Sequence, residues 1–172
     1  DGSITPDDRV IIGDPYPDFI YGLNSNLRYK NFSLNVLVQG VQGGLLFWGD
    51  KYVLGNFARY SNQLHEVYES HWSANNPDVN AKYPRLSNVA SNMSERFFED
   101  ASYIRVKTIS LSYNFPTQKL NWIKNAMVYV SGENLLTFTD YSGYDPEVSY
   151  GSSSSLLKGV DIGGYPSAKT WT

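Results

Sequence analysis

Two alternating segments of nearly equal length stand almost back to back in this chain, and they limit the fold more than any other feature. In the first, Phe19, Tyr21, Leu23, Leu27 and Tyr29 share one parity, broken only by Ser25. Ile20, Gly22, Asn24, Asn26, Arg28 and Lys30 share the other. Asn31 reads as the tight-turn residue. In the second, Phe32, Leu34, Val36 and Val38 alternate with Ser33, Asn35 and Gln39, with Leu37 as the exception. A period of two puts one set on each face of a strand. The pattern predicts a long β-hairpin with one apolar and one polar face. Strands of soluble domains average about 5–6 residues, whereas each of these is about as long as a membrane-spanning strand.

The rest of the chain repeats the pattern at longer intervals. A third strand is predicted from Ser102 to Phe115, where Ile109, Leu111, Tyr113 and Phe115 alternate with Thr108, Ser110, Ser112 and Asn114 before Pro116. A fourth is predicted over about Ala126 to Phe138, without a clear assignment of its faces, and a fifth starts near Ser167. Residues 40–96 and 139–166 are long connections, while 117–125 is short. Within the first long connection, Leu64, Val67, Tyr68 and His71 predict an amphipathic helix over roughly Ala58 to Trp72, ended by Asn75-Asn76-Pro77-Asp78. Long and short connections thus alternate down the chain, as in an outer-membrane barrel with short periplasmic turns and long extracellular loops. Aromatic residues gather at the strand ends: Tyr29, Phe32, Tyr113 and Phe115 at one end, Phe19, Tyr21 and Phe138 at the other. Amphipathic rings prefer two such girdles, one at each lipid–water interface.

Composition removes several classes. The 172 residues carry 14 Lys+Arg against 17 Asp+Glu. That acidic balance excludes a protein gripping nucleic acid through its phosphates. There is no cysteine, hence no disulfide framework and no thiolate metal site. No apolar run approaches the roughly 18 residues of a spanning helix, which leaves spanning strands open. The chain starts at Asp1 and stops at Thr172 in what reads as a strand, and both ends read as cuts from a longer protein.

Several blocks resemble the SusC/RagA family of TonB-linked outer-membrane transporters. They are Ile4-Thr5-Pro6-Asp7-Asp8-Arg9 with Ile12-Gly13-Asp14-Pro15, Tyr29-Lys30-Asn31-Phe32-Ser33-Leu34 leading to Gln39-Gly40, and Ala101 to Lys107. Further on come Gly132 to Thr139, Tyr141 to Glu147, and Gly159-Val160-Asp161 with Tyr165-Pro166. The resemblance covers nearly the whole chain, in order. It implies an all-β fold: residues 1–172 as the C-terminal portion of a large antiparallel transmembrane barrel of about 22 strands, without the plug domain and the final strand. It further implies import of nutrients, oligosaccharides or peptides, across the outer membrane of a Gram-negative bacterium. The partners implied are a SusD-like surface lipoprotein, TonB through the missing N-terminal part, a nutrient ligand and outer-membrane lipid. Two rivals are a TonB-dependent siderophore or vitamin receptor and a soluble glycan-binding β-sandwich.

Two sets of residues are candidates for binding. Asp1-Gly2-Ser3-Ile4 followed by Asp8 looks like the back half of an EF-hand-type calcium loop. Asp1 would take the third ligand position, Ser3 would offer its carbonyl, and Asp8 would close the loop. The plainer reading is an acidic Asp-Gly turn, since Asp8 is one methylene shorter than the usual Glu. Trp48, Tyr52, Trp72 and Tyr83 in the long connection are candidates to stack on sugar rings or meet a partner, against the commoner fate of packing within the loop. Asn24, Asn26, Arg28, Asn35 and Gln39 face a barrel lumen and either contact a plug or line the wall. His65 and His71 are six apart, too far for two ligands on one helix turn. Glu99 and Asp100 read as solvated rim charges, and Asp145-Pro146-Glu147 as turn chemistry. The sequence holds no Gly-x-Ser-x-Gly, phosphate loop or His-Glu-x-x-His, and no enzyme is predicted.

Overall fold

The computed structural model describes residues 5–56, 62–86, 93–116, 123–147 and 158–172. In chain order its strands are β1 (Phe19–Tyr29), β2 (Phe32–Gln42), β3 (Leu45–Trp48), β4 (Phe98–Asp100), β5 (Tyr103–Phe115), β6 (Ala126–Thr139), β7 (Val160–Asp161) and β8 (Thr170–Trp171). Two short helices, α1 (Gly49–Leu54) and α2 (His65–Ser70), lie between β3 and β4. The chain divides into two units: residues 1–15, 45–99 and 149–164, and residues 16–44, 100–148 and 165–172.

The second unit is one antiparallel sheet in the order β1-β2-β5-β6-β8. Directly paired residues share a face, so the register assigns every side. Leu27 pairs Leu34 and Leu23 pairs Val38. Leu34 pairs Leu111, and Leu111 pairs Val130. The face left unassigned on the fourth strand is thereby settled: Val128, Val130, Leu136 and Phe138 continue the apolar side. A register shift between Leu37 and Val38 in the β2–β5 pairing coincides with a second between Val106 and Thr108 in the β5–β6 pairing, where Leu136 and Glu133 are the flanking partners. The extra residue inverts the parity of β5, so that Ile104 and Val106 join Ile109 and Leu111 on the apolar face. Asn134 takes φ 52° within the irregular part of β6.

The hairpin turn holds two residues rather than Asn31 alone, because Tyr29 pairs Phe32 across it. Lys30, not Asn31, takes the left-handed conformation, with φ 51°. The Asn31 amide side chain is spent elsewhere, donating to the Asn114 carbonyl at 2.7 Å, while Asn114 N–H donates to the Asn31 carbonyl at 2.9 Å. This turn is therefore pinned to the end of β5. At the same end the rings of Phe32 and Tyr113 lie 4.7 Å apart and those of Tyr113 and Phe115 5.0 Å apart. At the other end Phe19 and Tyr21 are neighbours at 5.8 Å.

The first unit holds the three-stranded sheet β4-β3-β7, with β3 and β7 parallel. Its core is Leu46, Val67, Tyr83 and Phe97. Tyr52 stacks edge-on to Phe97 at 5.1 Å, and Phe47 joins Tyr52 and Phe98. The periodicity over Ala58–Trp72 overstates the helix. Residues 57–61 lie outside the described residues, Leu64 is extended (ψ 140°), and α2 ends at Ser70. The chain then leaves the helix because its backbone finds partners elsewhere: Tyr83 N–H donates to the Ser70 carbonyl, and Trp72 N–H to the Tyr83 carbonyl. Val67 faces inward, whereas Tyr68 is exposed. Glu99 is not a solvated rim charge. It pairs at 2.7 Å with the buried Lys51, and its own side chain is only 16% exposed. A buried ammonium needs such a partner, since an unpaired one costs several kcal/mol, on the order of its desolvation. Asp100 is exposed and accepts from Ser102 N–H at 2.6 Å.

Candidate functional site

The sheet of the second unit presents two chemically opposite faces. On one, Phe19, Tyr21, Leu23, Leu27 and Tyr29 of β1 run into the apolar rows of β2, β5 and β6. These side chains stay open: Leu23 is 66% exposed, Leu27 60% and Phe138 61%. Two glycines interrupt the face where rings lie over the backbone. A Cβ on Gly40 would meet the Tyr21 ring, and one on Gly132 would meet the Trp171 indole and Leu135. On the other face the amide of Asn35 donates to the side chains of Asn24 at 3.1 Å and Asn26 at 2.7 Å. A face of this apolar content gains about 25 cal/mol per Å² on leaving water, and among the described residues of this unit none covers it.

The polar face carries a buried ionic cluster near the start of β5. Arg105 is 2% exposed. Its guanidinium donates to Asp145, to Glu147 Oε2 at 2.6 Å, to Thr137 Oγ1 at 2.9 Å and to Ser167 Oγ at 3.2 Å. Lys107 Nζ reaches both oxygens of Glu147, at 2.8 and 2.7 Å. Asp145 also accepts from the N–H groups of Glu147 (3.0 Å) and Ser167 (2.9 Å). Burial works to raise the Asp145 carboxyl, but the Arg105 guanidinium and those two N–H donors outweigh it and hold it below its ordinary value. The turn reading of Asp145-Pro146-Glu147 caught only the Asp145–Glu147 backbone contact. The signal missed was Arg105, a cation between Ile104 and Val106 in a strand, which cannot be buried without carboxylates to meet it.

The aromatic candidates all fall in the first unit. Tyr83 is 1% exposed, and its hydroxyl donates to Glu66 at 3.3 Å. Burial first, and then the Glu66 carboxylate, push its phenol up to about 12. Tyr52 belongs to the ring cluster around Phe97, and Lys51 sits 5.4 Å from the Trp48 ring. Trp72 is half-buried beside Tyr83. The structure thus brings Trp72 to Tyr83 by backbone pairing and Tyr52 to Phe97 by ring contact. Of the calcium candidates, Asp1 and Ser3 lie outside the described residues. Asp8 ends a short 3-10 turn over Pro6–Asp8, where its carboxylate accepts from Thr5 N–H at 2.6 Å. Among the described residues no group of three or more His, Asp or Glu is arranged to hold a metal, and His65 and His71 do not converge: His65 faces Glu69 at 3.4 Å and His71 meets the Val67 and Tyr68 carbonyls.

No protein-family model matches the chain. Among curated proteins it is similar to TonB-dependent receptor P3 of Formosa agariphila, with 39% identity over 99% of this chain and 17% of that protein. TonB-dependent receptor P26 of the same organism is 35% identical over all of this chain and 18% of its own length. TonB-dependent receptor SusC of Bacteroides thetaiotaomicron is 27% identical over 99% of this chain and 16% of its length. The chain thus spans about a sixth of the curated relatives it matches. Among solved structures it is similar to the RagAB peptide importer in its closed-closed state, at a TM-score of 0.78 and 25% identity, over 94% of this chain and 17% of that one. The same importer in its open-open state matches at a TM-score of 0.73.

Proposed function

The chain is homologous to a segment of the TonB-dependent receptors of the SusC/RagA family, and on that premise we propose that it forms the last strands of a transmembrane barrel that imports nutrients. TonB-dependent receptors are proteins of the Gram-negative outer membrane. The observation that carries the reading is the apolar face: four long strands in register, open on that side, with aromatic residues at both ends. Lipid is the solvent that satisfies such a surface, and a spanning sheet must close on itself to leave no unpaired edge. The Asn24-Asn26-Asn35 face then lines the lumen. Oligosaccharides or peptides are the proposed cargo, a SusD-like surface lipoprotein the proposed partner, and TonB the proposed source of force.

In the mechanism proposed, the chain binds and releases without covalent chemistry. The long connections after β2 and β6 leave the strands at the end opposite the tight turn, which is the extracellular end in this reading. Trp48, Tyr52, Trp72 and Tyr83 in the first of these would shape the rim, with the half-buried Trp48, Tyr52 and Trp72 as the members that could contact a sugar or peptide and the buried Tyr83 behind them. Single cysteines at Leu23, Leu27, Asn26 and Asn35 in the full-length protein test the barrel. A lipid-phase reagent is expected to modify the two leucine positions and spare the two asparagine positions. Equal modification of all four by a water-soluble reagent alone would overturn the reading.

A further inference from the structure

Arg105 touches three separate stretches of chain: β6 through Thr137, the connection after it through Asp145 and Glu147, and the approach to β8 through Ser167. We propose that Arg105 is a positioning residue, the hub of an ionic clasp that fixes both stems of the β6–β8 connection against the polar face of the sheet. Residues 140–147 and 165–169 are then a fixed part of the lumen wall and do not swing as a lid.

Three features of the geometry carry this. First, the charges balance: Arg105 and Lys107 face Asp145 and Glu147, and Arg105 and Asp145 are both 3% exposed at their side chains. Buried charge-assisted bonds resist rearrangement, because breaking one leaves a charge without solvent or partner. Second, the register irregularity at Lys107 adds a residue to β5. It lets Lys107 join Arg105 at Glu147 without taking Ile104 or Val106 off the apolar face. Third, the stem is tied again beside the clasp. Thr139 Oγ1 donates to the Ser102 carbonyl at 2.8 Å and accepts from Tyr141 N–H at 3.1 Å, and the buried Tyr141 ring lies over Gly143.

The location in a lumen wall rests on the barrel reading; the clasp itself does not. Hydrogen exchange on the full-length protein in outer-membrane vesicles separates the two. In the wild type, the N–H groups of Glu147 and Ser167, both bonded to Asp145, are expected to be protected. In R105K, which keeps the charge but loses the planar fork, both are expected to exchange at least about tenfold faster, the loss of one hydrogen bond to a charged group. E147Q is expected to loosen the Glu147 stem more than Ser167, which identifies Arg105–Asp145 as the hub. Heat-resistant mobility of the folded protein should stay unchanged in both variants, which a merely structural role for Arg105 would not allow. Wild-type exchange at free-chain rates, or protection that survives R105K, would overturn the clasp. Should R105K fail to assemble, E147Q alone decides, with unchanged protection of Glu147 as the contrary result. A cysteine at Leu27 in the same preparation reports on the barrel: if lipid-phase reagent does not reach it, the barrel reading fails while the clasp is still judged on its two amides.

Discussion

Asp145 shows how one side chain sets conditions for its surroundings. Its carboxyl is held below the ordinary value near 3.8, against the opposing pull of burial. The linkage follows from that direction. A group with a lowered folded pKa adds stability above its unfolded value, and this is lost as pH falls through the folded one. Wild-type protein in detergent is expected to keep this contribution at neutral pH and to lose stability on acidification below about pH 4. In Asp145→Asn the unfolding free energy at pH 7 should fall, by less than the about 3–5 kcal/mol of a fully unpaired buried charge because Glu147 still meets Arg105, and its pH dependence should be flatter below pH 4; equal slopes for the two proteins would refute the assignment. Gly40 is constrained by a ring in the same way. A Cβ there would enter the space of the Tyr21 ring. Gly40→Leu is expected to cost about 1–3 kcal/mol by overpacking. In a Tyr21→Ala background the cost should largely vanish, which a double-mutant cycle on urea midpoints would measure. Neither residue was legible for this role in the sequence. Gly40 reads as a loop signal, and Asp145 as a turn former, because each acquires its neighbour from a strand distant in the chain.

Among the elements, the long strands were the readable part. β1 follows its alternation to within a residue, since side-chain period and face are local properties of an extended backbone, whereas β2 runs on through Gly40 to Gln42, into what reads as a connection. β5 was readable only from Thr108 onward. Before that point the extra residue at Lys107 inverts parity, and only pairing with β2 and β6 shows that Ile104 and Val106 stay on the apolar side. The short elements α1, β3, β4 and β7 carry too few residues to establish a period, and α2 stops early because Tyr83 captures its last turn. The labelling pattern expected at Leu23, Leu27, Asn26 and Asn35 tests these strands directly. It asks whether the face assigned by register is the one that lipid reaches.

The whole molecule is expected to work as part of an assembly. Full-length protein purified from outer membranes in mild detergent is expected to bring a surface lipoprotein with it. Recovery of the intact protein from the soluble fraction, or from the membrane with no lipoprotein, would count against the barrel or against the partner respectively. Among the described residues no strand pairs with the outer edge of β1 along its eleven residues, and such an edge demands another strand. The amino-acid sequence by itself determined that these strands are long, two-faced and ringed with aromatics, because those features follow from a repeat of two residues and from side-chain chemistry. It also determined the family resemblance, which lies in short ordered blocks such as Tyr29–Leu34 and Tyr141–Glu147. Only the tertiary structure decided that Arg105 gathers Asp145, Glu147, Thr137 and Ser167, that Glu99 neutralises the buried Lys51, and that Trp171 lies over Gly132. Those contacts join residues 32 to 62 positions apart. A buried charge or an uncovered glycine states a need within the sequence, but its partner is chosen by strand pairing and chain path, which no local pattern encodes.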